Sequence, residues 1–374
     1  MEASPTTAIL IACKNGERTI GETVRRAAAQ ADVYVVSDGS DDRTAEVAAA
    51  AGAAVIERAA SGGKPAALRA GTRVFDLARR YRFIGVVDDD TLLAPDYVDS
   101  VVAAMDADDR IAAASGRIDS LWDNAHRWNP YIAMRAFTYW SYQVTIKRGQ
   151  NALHVVNVIC GANTIFRADV FDAVIERDVP YAIDDMFWVA EIVRLQLGRV
   201  QYVHGARSWT IDPHTFHDWY RQTVRWSWAQ FQSIRGHHLL RPVVRDARRR
   251  GGWRVSGFGL AYLALVLDWL PYALEPLLFV PVVLLLGTMI DPVWLLVYIA
   301  VTTIGWIGVG AAALRKPQLV LLAPAVIALD LVYRVTMLHA LAKAVVRPQV
   351  DTCRWDSPPR FELASDSTTA RRTP

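Results

Sequence analysis

The sequence predicts an α/β domain built on a mainly parallel mixed sheet, followed by C-terminal transmembrane α-helices. Two observations predict the α/β domain: strand-like apolar runs alternate with helix-like stretches over residues 7–87, and acidic residues follow two of these strands. A third observation predicts the membrane region. Residues 255–343 contain long apolar runs with few, scattered charges, and hydrophobic residues make up 52% of the whole chain.

The strand and helix patterns of the first part follow one another closely, which is typical of parallel strands joined by crossover helices. Ligands of such sheets bind at the carboxyl ends of the strands, so we expect the site there. The predicted strands are Thr7–Cys13, Asp32–Ser37, Ala53–Glu57 and Phe83–Val87, and the predicted helices are Arg18–Ala31, Thr44–Ala51 and Lys64–Tyr81.

Three successive aspartates, Asp88, Asp89 and Asp90, follow the fourth predicted strand. Like charges at this spacing raise one another's pKa, and a hard divalent cation such as Mg²⁺ or Mn²⁺ would neutralise them. If the strand geometry continues beyond Val87, Asp88 and Asp90 point to the same side and Asp89 faces away. The alternative is that these carboxylates only form a turn or cap a helix.

Five short motifs then occur in the order in which one enzyme family carries them. They are "VVSDGSDDRT" (Val35–Thr44), "GGKPAALRAG" (Gly62–Gly71), the Asp88–Asp90 triplet, "AIDDMFW" (Ala182–Trp188) and "QTVRW" (Gln222–Trp226). With these motifs the chain resembles the inverting nucleotide-sugar transferases of glycosyltransferase family 2. The last motif matches Q-x-x-R-W, which is typical of the processive-synthase branch with the cellulose, chitin and hyaluronan synthases. The resemblance implies a GT-A-type domain, a nucleotide-diphosphate sugar as donor, in the first place a UDP-sugar, and Mg²⁺ or Mn²⁺ as cofactor.

The donor side of the site is predicted on the first three motifs. Asp38 follows a strand, where it can accept hydrogen bonds from a base or ribose, and the alternative is an Asx-turn. Lys64 opens a helix after two glycines and is a candidate diphosphate contact, and the alternative is a solvated lysine. The resemblance implies that Asp88 and Asp90 hold the metal and that Asp88 and Asp89 contact the substrate.

The acceptor side is predicted on two further segments. Asp184 and Asp185 precede an amphipathic helix, where an aspartate is more often a cap than a catalyst. By the family pattern, Asp185 is the general base that takes the proton of the acceptor hydroxyl. Gly161 belongs to "CGANTIFRADVF", which resembles the family's acceptor-lining element and has Cys160 where serine is common.

Gln222, Arg225 and Trp226 share one face of a predicted helix. Arg225 is predicted to be catalytic together with Asp185, because a bidentate arginine offsets the charge of the leaving diphosphate. Gln222 and Trp226 are predicted to bind substrate, with Trp226 stacking on a sugar face. The alternative for Trp226 is packing in an aromatic stripe with Trp219.

Four domains are predicted: a catalytic nucleotide-sugar domain (1–205), acceptor-side and membrane-interface helices (206–254), a transmembrane region (255–343), and a cytosolic tail with a disordered end (344–374). The membrane region has four spans, or three if the first lies in the interface. The predicted spans are 256–272, 274–290, 293–314 and 318–341. Because nucleotide sugars are cytosolic, the protein is predicted to be a multi-pass protein of the inner or plasma membrane with its catalytic domain in the cytosol.

The predicted activity is that of a hexosyltransferase acting on a hydroxyl of a growing polysaccharide or a membrane-linked glycan. The alternatives are a polyprenyl-phosphate sugar transferase, a glycolipid-forming transferase, or a non-catalytic membrane scaffold with a degenerate transferase domain. The predicted partners are the sugar donor, a glycan or lipid-linked acceptor, and membrane lipids. The formal net charge of +3 is too small to indicate a nucleic-acid partner.

Overall fold

The computed structural model describes residues 6–156, 158–236 and 281–350, together with 274–275 and 277–279. The predicted span 256–272 and the end of the predicted tail lie outside the described residues. The chain divides into two compact units. The first contains Met1–Asp119, Lys147–Ile211 and Gln349–Pro374, and the second contains Ser120–Ile146 and Asp212–Pro348.

The first unit is built on one sheet. Its described strands are β1 (Thr7–Cys13), β2 (Asp32–Asp38), β3 (Ala54–Arg58), β4 (Phe83–Val87), β5 (Thr91–Leu93), β6 (Ile111–Ser120), β7 (Asn163–Arg167) and β8 (Arg199–Thr210). They lie in the order β3-β2-β1-β4-β7-β6-β8-β5. Strands β3, β2, β1 and β4 pair in parallel, whereas β7 pairs antiparallel with both β4 and β6, and β5 pairs antiparallel with β8.

Helices connect these strands and form most of the second unit. In chain order the described helices are α1 (Ile20–Ala28), α2 (Thr44–Ala50), α3 (Lys64–Val74), α4 (Leu77–Arg80), α5 (Tyr97–Asp106), α6 (Pro130–Tyr142), α7 (Arg148–Ala152), α8 (Ala168–Ile175), α9 (Asp185–Leu195), α10 (Phe216–Gly236), α11 (Pro292–Leu314), α12 (Gln318–Leu321) and α13 (Ala323–Val346). A π-helical turn, Gln143–Lys147, joins α6 to α7.

The parallel part of the sheet follows the prediction closely. Strands β1 and β4 have the predicted bounds, whereas β2 is one residue longer at its end and β3 is shifted by one residue at both ends. Every side chain of β1 and β4 is buried, so an unbroken apolar run marks each strand in the sequence. Helix α1 buries Ile20, Val24 and Ala27 against this core, in agreement with its helical spacing.

The predicted single helix Lys64–Tyr81 is wrong, because the segment forms two helices, α3 and α4. Asp76 separates them in the left-handed conformation, with a φ of 51°, which an α-helix cannot contain. Aspartate tolerates that conformation better than most residues. Apolar residues continue at helical spacing on both sides of Asp76, so the sequence pattern does not reveal that the helix breaks there.

The prediction of a mainly parallel sheet holds for β3-β2-β1-β4 only, since the remaining described pairings with known direction are antiparallel. The antiparallel half brings distant segments to the end of β4. Val87 pairs with Asn163 at the start of β7, so residues 158–162 run beside the residues that follow β4. Thr91 pairs with Thr210 at the end of β8.

In the second unit, α11 and α13 are the two described helices that are long and apolar enough to cross a membrane by length and composition. Only 22% and 28% of their most apolar windows is buried. Helix α11 begins one residue before the predicted span 293–314. The predicted span 318–341 is wrong at its start, because Gln318–Leu321 forms the separate helix α12. Within the predicted span 274–290, residues 281–289 are helical.

Aromatic side chains hold the helices of the second unit together. The Trp140 ring of α6 lies 4.9 Å from the Trp306 ring of α11, and Trp306 Nε1 donates to Ser141 Oγ at 2.9 Å. Between α10 and α13, the Lys343 ammonium lies 4.0 Å from the ring centre of Trp228. The helices that carry the Q-x-x-R-W motif and Arg135 therefore pack directly on the two apolar helices.

Candidate functional site

The end of β4 brings together residues from three of the sequence motifs. Asp88 follows Val87, and its backbone N–H donates to the Ala162 carbonyl at 3.2 Å. The Lys64 ammonium at the start of α3 donates to Asp88 Oδ1 at 2.6 Å and to the Gly161 carbonyl at 3.0 Å. The Lys64 ammonium therefore links Asp88 to Gly161, and all three are predicted site residues.

Asp185 lies beside this contact. A Cβ atom built on Gly161 would be 3.4 Å from Asp185 Cβ and 3.5 Å from Lys64 Nζ, so Gly161 lies between the two side chains. Asp185 is the first residue of α9, and its Oδ1 accepts the Met186 N–H at 2.7 Å. Asp184 is buried at the N-cap position but makes no capping hydrogen bond with its side chain, so the capping alternative is not observed for Asp184.

The charges of this cluster, defined as Lys64, Asp88, Asp184 and Asp185, perturb one another. Burial raises the pKa of Asp185 to about 6, and the Asp184 carboxylate adds to the shift. Burial opposes the charge on Lys64, but attraction by the three carboxylates outweighs it and raises the pKa of Lys64. Lys64 therefore stays protonated, and Asp185 titrates in the range suited to a general base near neutral pH.

The Asp88–Asp90 triplet does not continue the strand, because Asp89 and Asp90 form a turn. The strand geometry on which the same-side placement of Asp88 and Asp90 depended is therefore not present. Asp89 Oδ2 accepts the Cys13 Sγ–H at 3.4 Å. Asp90 is buried, and its Oδ1 accepts the Thr210 hydroxyl at 3.3 Å. The three carboxylates thus point to different neighbours.

The carboxylate oxygens of Asp88 and Asp90 are the groups of this site that suit a divalent cation. Among the described residues there is no group of three or more His, Cys, Asp or Glu side chains arranged to hold a metal. Asp88 and Asp90 nevertheless offer hard carboxylate oxygens, and Asp88 keeps 33% of its side chain exposed. Mg²⁺ usually binds through one or two carboxylates together with substrate phosphates, so the donor set fits such a cation in the presence of a diphosphate.

Asp38 has a different environment from the one predicted. Its carboxylate is fully buried and accepts hydrogen bonds from the Arg58 guanidinium, from Ser61 Oγ at 2.9 Å, and from the backbone N–H groups of Gly62 at 3.1 Å and Gly63 at 2.9 Å. It therefore fixes the loop that leads into α3 and Lys64. The contact of Asp38 with a base or ribose stays a prediction.

Gly39 shows why this loop needs a glycine after Asp38. Its φ is +66°, and a Cβ atom would lie 2.7 Å from the backbone nitrogen of Ser61. A side chain there would strain the backbone and collide with the loop.

Gln222, Arg225 and Trp226 lie on α10 in the second unit. Gln222 is buried and its Oε1 accepts the Arg135 Nη2–H at 3.1 Å. The Trp226 ring stacks on the Tyr139 ring at 6.4 Å and is only partly buried, whereas Trp219 is fully buried. Trp219 is thus a core residue, and Trp226 keeps surface that a ligand can contact.

Two buried cations were missed by the sequence reasoning, Lys147 in the first unit and Arg135 in the second. Lys147 interacts with Asp185 and Cys160, and burial lowers its pKa. Burial likewise raises the pKa of Cys160 to about 11, so this thiol stays protonated at neutral pH. A single basic residue in an otherwise apolar helical stretch is a sequence signal for a buried cation. Arg135 in "PYIAMRAFTYWSY" has this signal.

The chain is similar to solved structures of a mannosyltransferase and of a glucosyl-3-phosphoglycerate synthase. The mannosyltransferase PcManGT from Pyrobaculum calidifontis, in complex with GDP-Man and Mn²⁺, is 16% identical with a TM-score of 0.53, over 93% of this chain and 88% of that one. The glucosyl-3-phosphoglycerate synthase from Mycobacterium tuberculosis, in complex with Mg²⁺ and uridine-diphosphate, is 16% identical with a TM-score of 0.42, over 62% of this chain and 79% of that one. No curated protein matches the chain.

The family comparison covers more than half of the chain. The family described as "Glycosyltransferase like family 2" matches residues 5–229, a range that includes β1 to β8 and the first part of α10 with Gln222, Arg225 and Trp226. The chain belongs to the glycosyltransferase-like family 2.

Proposed function

We propose that the protein is a membrane-bound, metal-dependent inverting glycosyltransferase that moves a sugar from a nucleotide-diphosphate sugar to a hydroxyl of a glycan or membrane-linked acceptor. The observation that carries this proposal is the convergence of Lys64, Asp88, Gly161 and Asp185 at the end of β4. The protonated amine of Lys64, the partly exposed carboxylate of Asp88 and the carboxylate of Asp185, whose pKa is raised, therefore belong to one cluster.

In this proposal each side chain has one task. Asp185 accepts the proton of the acceptor hydroxyl, which then attacks the anomeric carbon from the face opposite the leaving diphosphate. Asp88 and Asp90 would hold Mg²⁺ or Mn²⁺, which supplies positive charge for the leaving group. Lys64 keeps Asp88 in place through the 2.6 Å contact, and its charge favours the diphosphate.

The donor nucleotide is proposed from the sequence as uridine. PcManGT, a neighbour with a TM-score of 0.53, was solved with GDP-Man and Mn²⁺, so guanosine is the second nucleotide to test. Asp38, which the sequence assigns to the base or ribose, is buried in its own loop contacts.

The acceptor is proposed to be membrane-linked or a growing polysaccharide. Support comes from α11 and α13, whose length and apolar composition suit a bilayer. Further support comes from the Q-x-x-R-W motif on α10, where Trp226 keeps exposed surface for stacking on a sugar. The motif favours the processive-synthase branch over the polyprenyl-phosphate transferases. The proposed location is the inner or plasma membrane, with the catalytic unit in the cytosol.

The test is nucleotide release from a donor panel by the purified full chain in lipid nanodiscs. UDP-glucose, UDP-N-acetylglucosamine, UDP-galactose and GDP-mannose are each assayed with Mn²⁺, with Mg²⁺ and with EDTA. We expect release from at least one donor with metal, and loss of release in EDTA. Asp88→Asn and Asp90→Asn should both abolish the metal-dependent release.

The control variant is Asp109→Asn, because the Asp109 side chain is 90% exposed on the surface of the same unit. It should behave as the wild type. Full activity of Asp88→Asn in EDTA would contradict the metal assignment. Tight binding of a nucleotide sugar without release from any donor, with or without metal, would favour the non-catalytic scaffold instead.

A further inference from the structure

Arg135 is a buried arginine in the second unit that none of the sequence motifs includes. It lies on α6, within "PYIAMRAFTYWSY", and only 5% of it is exposed. The neighbouring residues Ile132, Ala133, Met134 and Ala136 are buried as well. A charged guanidinium in such a setting needs compensating partners, because moving an ion out of water costs several kcal/mol.

The partners of Arg135 are neutral. Its Nη2 donates to Gln222 Oε1 at 3.1 Å and to Thr223 Oγ1 at 2.8 Å. The guanidinium carbon lies 4.3 Å from the ring centre of Trp226 and 5.8 Å from that of Trp219. Arg135 therefore lies against two residues of the Q-x-x-R-W motif, Gln222 and Trp226.

Within the part of the chain that the structure describes, no carboxylate forms an ion pair with Arg135. Its Nε–H is also buried without an acceptor. Amide and hydroxyl oxygens and aromatic ring faces attract a cation, but they leave its full charge in place. A bound anion would supply the missing charge and an acceptor for Nε–H at once, and the planar guanidinium fits two phosphate oxygens well.

We propose that Arg135 is the cation of a phosphate-binding site, framed by Gln222, Thr223 and Trp226, that holds a phosphate group of one of the two substrates of the proposed transferase. The substrate assignment rests on the proposed function, whereas the phosphate site itself does not. Two sources share this chemistry: the diphosphate of the nucleotide donor, and a phosphate on a lipid-linked acceptor.

The packing of α6 supports the lipid-linked source. Trp140 and Ser141 of α6 contact Trp306 of the apolar helix α11. Arg135 precedes Trp140 by five residues, which is about 7–8 Å along a helix. Arg135 thus lies on a helix that packs on α11, whose length and apolar composition suit a bilayer, and this favours a phosphate carried by a membrane-anchored molecule.

The experiment measures binding of two probes to the full chain in detergent micelles. UDP and GDP with Mn²⁺ represent the donor, and farnesyl phosphate represents a lipid-linked phosphate. The variants are Arg135→Gln, which removes the charge, and Arg135→Lys, which keeps the charge but cannot donate two parallel hydrogen bonds as a guanidinium does. The matched control is Arg127→Gln, because Arg127 also stacks on a tryptophan, Trp128, but is exposed.

We expect Arg135→Gln to raise the dissociation constant of one probe roughly tenfold to a hundredfold, the range for a lost charged hydrogen bond, while Arg135→Lys recovers part of it. Weaker farnesyl phosphate binding with unchanged nucleotide binding assigns the site to the acceptor. The reverse pattern assigns it to the donor. Arg127→Gln should bind both probes as the wild type does.

The proposal is overturned if Arg135→Gln binds both probes like the wild type, whether or not its melting temperature falls, since Arg135 is then only a structural link between α6 and α10. It is also overturned if Arg127→Gln weakens binding as much as Arg135→Gln. Failure of the proposed transferase activity looks different, because nucleotide release would then be absent from the wild type while the effect of Arg135→Gln on probe binding remains measurable.

Discussion

Asp185→Asn should slow transfer at least about a hundredfold and stabilise the protein at the same time. Burial and the Asp184 carboxylate raise the pKa of Asp185 from its usual 3.8 to about 6. The folded protein therefore holds a proton on Asp185 more tightly than the unfolded chain does. The stability that this proton gives is fully present below pH 4 and is lost as the pH rises through 6.

The size of the effect follows from the two pKa values. A difference of about two pH units corresponds to about 3 kcal/mol at most, and about 1–3 kcal/mol is expected because Asp185 is partly exposed. At pH 8 the ionised Asp185 lowers the unfolding free energy of the wild type by this amount, whereas the neutral asparagine of Asp185→Asn does not. A gain of 2–4 °C in melting temperature per kcal/mol is typical of a domain of about this size.

The assay is thermal melting of the full chain in detergent with EDTA, at pH 5 and at pH 8. Asp185→Asn should melt several degrees above the wild type at pH 8, and the difference should shrink at pH 5. Asp109→Asn, with an exposed carboxylate, should show no such pH dependence. In parallel, wild-type turnover should rise as the pH increases through 6, and Asp185→Asn should turn over at least about a hundredfold more slowly.

A lower melting temperature for Asp185→Asn than for the wild type at pH 8 would refute the reasoning, since it would mean that the Asp185 charge stabilises the fold through Lys64. If Asp184→Asn is inactive while Asp185→Asn retains activity, the base is Asp184 and the motif alignment is shifted by one residue.

Three further substitutions test the remaining contacts. Lys64→Met should move the rising limb of the pH–rate profile to higher pH by about one pH unit, because it removes the cation that lowers the pKa of Asp185, and a profile unchanged from the wild type would contradict this. Asp38→Asn should cost about 2–4 kcal/mol of unfolding free energy and weaken donor binding, because the Arg58–Gly63 loop loses its carboxylate acceptor; unchanged melting would count against that role. Trp226→Ala should slow transfer to the acceptor more than hydrolysis of the donor, by roughly tenfold to a hundredfold, and equal loss of both rates with a lower melting temperature would mark Trp226 as core packing.

The strands that could be predicted from the sequence are those buried on both faces. Strands β1 and β4 are unbroken apolar runs with every side chain buried, so their bounds are visible in the sequence. Strand β6, "IAAASGRIDS", is rich in alanine, glycine and serine, which have little preference for a strand. Its place beside β7 depends on pairing between residues far apart in the chain, for which local patterns carry no signal.

Four of the predicted site residues lie together in the structure, but their contacts could not be predicted from the sequence. Motif order identified Lys64, Asp88, Gly161 and Asp185, and the structure brings these four together. The turn at Asp89 and Asp90, which redirects the carboxylates, leads into β5, whose pairing with β8 joins segments far apart in the chain. The burial of Lys147 depends on helix packing that local sequence patterns do not express, whereas the apolar helical stretch around Arg135 is a sequence signal for its burial.

Two lysines partly neutralise the carboxylates that surround the end of β4. Lys64 pairs with Asp88 and also attracts Asp184 and Asp185, and Lys147 interacts with Asp185. Together with Lys147, the cluster has two lysines and three aspartates, so its formal charge is negative once Asp185 is ionised above pH 6. A nucleotide diphosphate brings further negative charge, and like charges in a partly buried site repel strongly. This charge balance supports the proposed role of a divalent cation, whatever the direction in which Asp88 and Asp90 point.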